Sequence, residues 1–337
     1  MKTVSIIIPC LNEADYIIKC LSSIIYQSYP AHLITTYVCD GNSNDGTQAL
    51  ITNFGLKYSQ IKLLINKKKT TPYALNLGIS NSTSDIIIIL GAHSELDRNF
   101  VENCMSTFDI DSKIMCVGGI LENVYENSTS KTIGIAMSSS FGIGNAHFRT
   151  GNKSGFVDTV AFGAYKKEIF DIVGNFDEEL IRNQDDEFNY RVTKAGLKIY
   201  LNHTIKCNYF VRASFQKLFK QYYQYGYWKV FVNKKHQTIT TIRQLIPLFF
   251  VMYLFSLVTS LLISTVLFCF LSTLLVLYLI LAFSVAFQKK TGSFIDVLNI
   301  VRTFFILHIS YGLGYLKGIF DFFILGKSIK KYETLSR

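Results

Sequence analysis

The sequence predicts an α/β domain followed by a membrane-embedded helical region, and three observations support this fold class. Short β-branched runs alternate with amphipathic stretches over the first 240 residues, as they do in proteins whose strands alternate with helices. Residues 245–287 then form a run of 43 residues without a charged residue or a histidine. The chain of 337 residues is 49% hydrophobic and only 17% charged, which is more apolar than a typical soluble domain.

The alternating pattern predicts buried parallel strands separated by helices. Strands are expected at residues 4–8, 37–39, 61–65, 86–90 and from 115–117, with helices at residues 15–25, 45–54 and 73–79. Ligands of an open parallel sheet bind at the carboxyl ends of its strands. This rule selects residues 9–13, 40–45 and 91–95 as the candidate site.

The residues at these strand ends favour some chemistries over others. The first turn lacks the GxGxxG pattern, which argues against a nicotinamide-dependent dehydrogenase. Residues 40–47 are rich in Asp, Asn, Ser and Gly, and a carboxylate there can accept a hydrogen bond from a base or a ribose. The same composition also suits a tight turn followed by a helix N-cap, so this segment alone leaves both interpretations open.

The densest acidic cluster follows later and comprises residues 174–179 and 184–191. Adjacent carboxylates repel each other and raise each other's pKa, which suits a general base that works near neutral pH. Alternatively, these acids favour the positive end of a helix dipole. Phe188 and Arg191 predict in either case that a helix starts near Asp185.

Five segments occur in the order of a known family: residues 4–13, 40–47, 71–78, 174–177 and 185–191. On these motifs the chain resembles glycosyltransferase family 2, and within it the membrane-attached, succinoglycan-type subgroup. The resemblance extends to residues 221–229 and 311–314. It implies a GT-A fold, a nucleotide-activated sugar donor that is usually a UDP-sugar, and inversion at the anomeric carbon.

The resemblance also implies site residues. Asp185 falls where the family places its catalytic base, and Asp186 is the alternative base. Asp40 is expected to contact the uracil. The full set of implied donor-binding residues is Pro9, Asn12, Glu13, Asp40, Asn42, Asn76 and His93, and the acceptor and diphosphate region is expected to include Gln221, Trp228 and Lys229.

The chain departs from the family pattern at Gly91. The family normally carries an acidic metal ligand at this position, and here His93 is left as the candidate ligand, with Glu95 or Asp97 as an oxygen donor. Of the two expected divalent cations, magnesium prefers oxygen whereas manganese tolerates imidazole, so a retained metal would be manganese. The alternative is that His93 binds the diphosphate directly or has a structural role, and that the metal is weak or absent.

The apolar run of residues 245–287 is about 65 Å long as a helix, roughly twice the hydrocarbon thickness. It therefore predicts a helical hairpin that turns near residues 260–264. A third apolar stretch, residues 301–325, is interrupted by charges and is expected to lie in the membrane plane or to re-enter. Positive residues flank the hairpin on both sides, so the positive-inside rule puts both of its ends in the cytoplasm. These residues are Lys234, Lys235, Arg243, Lys289 and Lys290. The same rule disfavours a C-terminal tail outside the cell, because the tail carries Lys327, Lys330, Lys331 and Arg337.

The charge distribution and the cysteines also bear on location. Residues 192–244 contain ten basic residues and no acidic one, and within them the aromatic segment 206–236 predicts an element at the membrane surface. Because an apolar run adjoins this segment, nucleic acid is not the expected partner.

Seven scattered cysteines without a CxxC pair predict reduced, core-filling thiols in the cytosol. No signal peptide is predicted, because Asn12 and Glu13 interrupt the first apolar run.

These inferences predict an inverting glycosyltransferase of the inner membrane with a cytoplasmic catalytic domain, residues 1–240, and a membrane region, residues 241–337. It would extend a lipid-linked saccharide for a cell-surface polysaccharide, alongside possible polysaccharide assembly partners. A polyprenyl phosphate or a diacylglycerol is an alternative acceptor. A noncatalytic sugar-nucleotide-binding subunit of an assembly complex is the alternative function, motivated by Gly91.

Overall fold

The computed structural model describes residues 1–151, 153–289 and 292–327, and these form two compact units. The first unit contains Met1–Asn123 and His147–Phe210, and the second contains Val124–Ala146 and the described residues from Val211 onward. Several basic residues that entered the orientation argument lie outside the described residues, namely Lys290, Lys330, Lys331 and Arg337.

The strands belong to one sheet and are, in chain order, β1 Val4–Cys10, β2 Ile34–Asp40, β3 Ile61–Ile65, β4 Ile86–Ile89, β5 Ser94–Leu96, β6 Ile114–Val124, β7 Gly155–Val157, β8 Ala164–Lys166 and β9 Lys198–Phe210. The helices of the first unit are α1 Ile17–Ile25, α2 Thr47–Lys57, α3 Thr71–Asn81, α4 Phe100–Phe108, α7 His147–Thr150, α8 Ile169–Val173 and α9 Gln184–Lys194. The helices of the second unit are α5 Ser128–Met137, α6 Ser140–Ile143, α10 Phe215–His236, α11 Ile246–Ser260, α12 Thr265–Phe287 and α13 Phe294–Ile319.

The sheet is mixed, with the order β3-β2-β1-β4-β8-β6-β9-β5 and β7 beside β9. Strands β1 to β4 are parallel, as the sequence predicts, and Cys10 at the end of β1 lies opposite Asp40 at the end of β2. Beyond β4 the prediction of parallel strands is wrong, because β8 runs antiparallel to β4 and to β6. A buried apolar run has the same pattern in both orientations, so the sequence carries no signal for strand direction here.

The core of the first unit lies on both faces of the central strands. Ile6, Ile7 and Ile8 of β1 are fully buried, and so are Ile87 and Ile88 of β4. A strand that is covered on both faces consists of consecutive apolar residues, and this pattern makes such strands predictable from the sequence. The covered strands hold their carboxyl ends, where the candidate site lies, in a fixed position.

In the second unit, α10 and α13 pack so closely that their backbones are nearly in contact. A Cβ atom at Gly314 of α13 would lie 2.0 Å from the carbonyl oxygen of Tyr223 on α10. A Cβ atom at Gly226 of α10 would likewise lie 2.0 Å from the carbonyl oxygen of Tyr311. Small residues of this kind let membrane helices approach, and Gly226 and Gly314 do so here.

Helices α5 and α6 also belong to the second unit, where α5 packs on α13. On the buried face of α5, Ile133 and Ala136 have no exposed surface. His308 of α13 joins three elements, since its Nδ1 lies 2.9 Å from the Tyr278 hydroxyl and its Nε2 lies 2.9 Å from the Phe141 carbonyl oxygen. The segment between β6 and β7 thus contributes two helices to the helical unit.

Three helical segments of the described chain are long and apolar enough to span a membrane: Ile242–Ser260, Thr265–Phe287 and Phe294–Ile324. The predicted hairpin turn is confirmed, because α11 ends at Ser260 and α12 begins at Thr265.

The third segment carries charges, and these charges have partners inside the helical unit. Lys317 and Lys327 lie 2.7 and 2.9 Å from buried Asp321, and Arg302 stacks on the Phe215 ring at 4.4 Å. These interruptions therefore do not shorten the helix. Whether it crosses the membrane or lies in the membrane plane stays a prediction.

All seven cysteines are free, and six are buried. The prediction of core-filling thiols is confirmed for these six. It is wrong for Cys269, which is exposed because α12 buries little of its surface, its buried residues being Ala282 and Ala286.

Candidate active site

The turns that follow β1 and β2 are joined by hydrogen bonds. The backbone N–H of Asn12 donates to Ser43 Oγ at 2.8 Å, and Asn44 N–H donates to Asn12 Oδ1 at 3.0 Å. Asn12 and Asn42 have positive φ values of 55° and 67°, a conformation that Asn tolerates better than most residues. Glu13 N–H donates to the Thr47 hydroxyl at 3.0 Å. Two of the three predicted strand ends therefore form one preorganised rim.

Asp40 is fully buried beneath this rim and organises the second turn. Its carboxylate accepts hydrogen bonds from Ser43 N–H at 2.8 Å and from Gln48 Nε2 at 2.6 Å, and also from the Ser43 hydroxyl. The turn-forming role that the sequence composition suggests is therefore present. The predicted contact between Asp40 and a uracil stays a prediction.

Asp45 links the same two turns from the exposed side. Its carboxylate accepts hydrogen bonds from Ala14 N–H and from the N–H and hydroxyl groups of Thr47. Burial raises the pKa of Asp45, but these hydrogen bonds to the charged form outweigh it, so the pKa lies below its ordinary value. The charged carboxylate therefore stabilises the folded rim.

This gives a prediction for pH dependence. A depressed carboxylate pKa contributes stability that is present above the unfolded value of about 4 and is lost as the pH falls through the folded pKa. We expect Asp45→Asn to lower the melting temperature by a constant amount between pH 5 and 8, and by less below about pH 4. Thermal melts of both proteins across this range measure the difference. A difference that grows on acidification would contradict the assignment.

The third strand end brings His93 to Glu13. His93 Nδ1 lies 3.6 Å from Glu13 Oε1, and Glu13 is 5% exposed. The ring of Tyr209, on β9, meets the His93 ring edge-on at 5.7 Å. The predicted donor-binding residues at the ends of β1, β2 and β4 therefore do come together, with half-buried Pro9 at the base of the first turn.

The surroundings of Gly91 do not suit a divalent cation. A Cβ atom at Gly91 would lie 3.1 Å from the Phe162 ring, so an acidic side chain at this position would need the ring to shift by a few tenths of an ångström. Within the described residues, no three His, Cys, Asp or Glu side chains are grouped so that they could hold a metal ion. His93 and Glu13 alone do not make a typical oxygen-rich cage. The residues present therefore do not fit the metal that the fold family implies.

The acidic cluster lies at the start of α9, as the sequence predicts. Asp185 is exposed, and its Oδ1 accepts a hydrogen bond from Asp186 N–H at 2.9 Å. Asp186 is half-buried. Both carboxylates lie in the first turn of α9, at the positive end of the helix dipole.

A clamp holds this helix to the loop before it. Arg191 makes two hydrogen bonds with the buried carboxylate of Glu187, at 2.8 and 2.9 Å, and also donates to the carbonyl oxygens of Val173 and Asn175. Such a bidentate pair fixes orientation as well as distance. The predicted motifs at residues 174–177 and 185–191 are therefore parts of one structure.

Asn76 holds the same loop from α3. Its side-chain amide donates to the Phe176 carbonyl oxygen at 2.9 Å and to Glu178 Oε1 at 3.0 Å, and it accepts from Phe176 N–H at 3.0 Å. Phe176 in turn stacks on Phe188 of α9, with 4.5 Å between the ring centroids. Asn76 thus supports the helix that carries Asp185, and its predicted contact with the donor stays a prediction.

We expect Asn76→Ala to lower the free energy of unfolding by about 2 kcal/mol, because the backbone groups of Phe176 lose their partners. Chemical denaturation of the detergent-solubilised protein measures this loss. The matched control is Asn81→Ala on the same helix, which removes an exposed side chain bonded only to the Leu77 carbonyl oxygen. Equal stability of the two variants would argue against a supporting role for Asn76.

The predicted acceptor residues lie in the second unit, on α10. Gln221 accepts from Arg212 Nε at 2.7 Å and donates to the Tyr225 hydroxyl at 2.8 Å. Lys229 is 1% exposed and donates to Thr241 Oγ1 at 3.2 Å. Trp228 is fully buried. Residues 206–236 are therefore not one surface element, since residues 206–210 belong to β9, and their predicted role at the membrane surface stays a prediction.

Three residues of this region were not predicted from the sequence: Phe162 beside Gly91, Tyr209 beside His93, and Arg149 beside Tyr209. Arg149 lies on α7, and its guanidinium stacks on the Tyr209 ring at 4.6 Å. None of the three belongs to a recognisable motif. For Phe162 and Arg149 the available signal was the Gly- and aromatic-rich composition of residues 141–163, which fits no helical or strand period.

Comparison with known proteins identifies the family. The sequence model described as "Glycosyl transferase family 2" matches residues 5–174, which is half of the chain. The chain belongs to glycosyltransferase family 2. Among its relatives in this family is the dolichyl N-acetyl-α-D-glucosaminyl phosphate 3-β-D-2,3-diacetamido-2,3-dideoxy-β-D-glucuronosyltransferase of Methanococcus voltae, which is 35% identical over 67% of this chain and 72% of its own length.

The succinoglycan biosynthesis protein ExoA of Rhizobium meliloti is 28% identical over 72% of this chain and 74% of its own length. A solved structure, the mannosyltransferase PcManGT from Pyrobaculum calidifontis in complex with GDP-Man and Mn2+, has a TM-score of 0.66 at 17% identity and covers 95% of this chain and 88% of that one. The present chain therefore has the GT-A fold followed by long apolar helices, which confirms the fold and the resemblance predicted from the sequence.

Proposed function

We propose that the protein is an inverting glycosyltransferase that transfers a sugar from a nucleotide donor, most simply a UDP-sugar, to a membrane-bound lipid-linked saccharide. One observation carries the proposal: the turns after β1 and β2 are joined into one rim, and Glu13 and His93 meet beside it. In an α/β sheet of this kind the carboxyl ends of the strands form the ligand site. Family membership supports the reaction class.

In the proposed mechanism, Asp185 is the general base. Its exposed carboxylate takes the proton of the acceptor hydroxyl while that oxygen attacks the anomeric carbon. The bond from the anomeric carbon to the donor diphosphate breaks on the opposite face, and the nucleoside diphosphate leaves with the electron pair. A single displacement of this kind inverts the anomeric carbon and needs one base. The clamp of Arg191 on Glu187 and the Asn76 contacts keep the helix that carries Asp185 in place.

The acceptor class is proposed from two features. The name of the Methanococcus voltae relative describes transfer to a dolichyl-linked N-acetylglucosaminyl phosphate, a sugar on a lipid carrier. The helical unit of this chain offers three segments that are long and apolar enough to reach such a carrier within a membrane. We therefore place the acceptor in the membrane, with the product destined for a cell-surface glycan.

We also propose that residues 1–240 act on the cytoplasmic side of the inner membrane, anchored by residues 241–337. Nucleotide sugars are charged and do not cross a bilayer unaided, so the site that binds them has to face the compartment that contains them. The positive residues that flank the hairpin support the same orientation.

The test is an assay of nucleoside diphosphate release by the purified full chain, with a panel of UDP- and GDP-sugars and a lipid extract as acceptor. We expect one donor to be turned over only when lipid is present, and the labelled sugar to appear in the lipid fraction. The noncatalytic alternative predicts that a nucleoside diphosphate binds while no donor is turned over with any lipid fraction. That result would reject the transferase proposal.

A further inference from the structure

We infer that the guanidinium of Arg149, rather than a divalent cation, neutralises the diphosphate of the donor. This inference rests on the proposed function, because it assigns the phosphate-binding group of the same site. Arg149 belongs to no motif that the family resemblance covers, and its assignment comes from its surroundings in the structure.

The first argument is where Arg149 lies. Its guanidinium carbon is 4.6 Å from the centroid of the Tyr209 ring, and the same ring contacts His93 at 5.7 Å. His93 in turn lies 3.6 Å from Glu13 on the joined rim. One aromatic side chain therefore connects the cation to the strand end where the family binds the donor phosphates.

The second argument is that part of this cation is not used by the protein itself. The Nη1 atom of Arg149 is shielded from solvent and has no hydrogen-bond partner among the described residues. A buried polar atom that lacks a partner is costly, and such atoms are rare in folded proteins. Stacking on Tyr209 fixes the plane of the guanidinium but satisfies none of its N–H groups. The N–H group at Nη1 is therefore a hydrogen-bond donor that is positioned for a ligand.

The third argument is that the first acidic ligand of the usual metal ion is absent, because residue 91 is a glycine. The phosphates of a nucleotide sugar need a positive partner, and in the fold family a metal held by acidic residues supplies it. Here the Phe162 ring lies 3.1 Å from the position of a Cβ atom at Gly91, where the first acidic ligand would begin. A divalent ion would lack this ligand, whereas the guanidinium of Arg149 is part of the chain and needs no acidic residue to hold it.

The chemistry of the side chain suits the task. A guanidinium is always charged at physiological pH, and its planar fork matches two phosphate oxygens. As the bond to the sugar breaks, negative charge grows on the diphosphate, and a fixed cation stabilises that charge without rearrangement. Arg149 is then both a binding group for the donor and a stabiliser of the leaving group.

The experiment is calorimetric titration of the detergent-solubilised full chain with UDP and GDP and with uridine and guanosine, in EDTA and in MnCl2. For the nucleoside diphosphate that binds, we expect the wild-type affinity to survive EDTA. In Arg149→Gln it should fall about 10- to 100-fold, while the affinity for the matching nucleoside stays unchanged, because only the contact with the diphosphate is lost. Arg98→Gln removes an exposed guanidinium of the same unit and is expected to bind like the wild type.

Arg149→Lys is the control for a folding defect, because it keeps the positive charge and loses only the planar, two-pronged arrangement of N–H donors. We expect it to bind the nucleoside diphosphate about fivefold more weakly than the wild type. Equal affinities of wild type and Arg149→Gln would overturn the inference, as would a wild-type affinity that disappears in EDTA. Both of these results leave the transferase proposal intact. If the wild type bound neither nucleoside diphosphate with or without manganese, the proposed function itself would fail.

Discussion

Replacing Asp185 with Asn should lower sugar transfer by about 1,000-fold while nucleotide affinity remains that of the wild type. The amide has nearly the same shape as the carboxylate but cannot accept the proton of the acceptor hydroxyl. Because Asp185 is exposed at the start of α9 and the carboxylate of Glu187 makes the clamp with Arg191, the substitution leaves the clamp in place. Release of nucleoside diphosphate from the preferred donor, with lipid extract present, measures the effect.

Two further variants decide between the neighbouring acids. Asp186→Asn is expected to keep transfer within about tenfold of the wild type, because its half-buried side chain is less accessible to an acceptor. Asp171→Asn, in an exposed position on α8, controls for the loss of one negative charge. A large loss in Asp186→Asn with little loss in Asp185→Asn would assign the base to Asp186. Normal transfer by both variants would remove the acidic cluster from the mechanism.

The second large effect concerns the helical unit. We expect Gly314→Ala to lower the free energy of unfolding by about 3 kcal/mol or more, because overpacking forces backbones apart. The new Cβ atom would lie 2.0 Å from the carbonyl oxygen of Tyr223, and a carbonyl oxygen cannot rotate away as a side chain can. Thermal melts of the protein in detergent should show a clearly lower melting temperature.

Gly226→Ala should have a similar effect from the opposite helix, since its Cβ atom would meet the Tyr311 carbonyl oxygen at 2.0 Å. Gly292→Ala is the matched control, because among the described residues no heavy atom beyond the chain neighbours lies within 4 Å of its added methyl group. If Gly314→Ala and Gly292→Ala melted at the same temperature, the close packing of α10 on α13 would not be a source of stability.

Much of the site is predictable because the relevant residues follow strands whose pattern is unambiguous. The runs that become β1, β2 and β4 are apolar and β-branched, and the carboxyl ends of adjacent parallel strands must meet at one edge. The turns at Asn12 and Ser43 therefore come together as expected. The helical hairpin is predictable for a similar reason, since 43 residues without charge exceed one membrane crossing.

The rest depends on contacts between residues that are far apart in the chain and belong to no periodic pattern. Asn76 supports Phe176, 100 residues away, and no local signal links them. The Phe162 ring beside Gly91 is likewise set by a loop whose path the sequence does not encode in any regular spacing. The antiparallel direction of β8 and the position of Arg149 on Tyr209 are features of the same kind.

The placement of α5 and α6 in the helical unit has a consequence for synthesis. The chain emerges from the ribosome in order, so α5 is complete about 10 to 30 s before α13 at ordinary rates of translation. During this interval the face that carries Ile133, Ala136 and Met137, later buried, has no cover from α13. A fragment that stops at residue 240 would never acquire this cover, so an intact fold of residues 1–240 cannot be obtained simply by cutting the chain before its apolar helices.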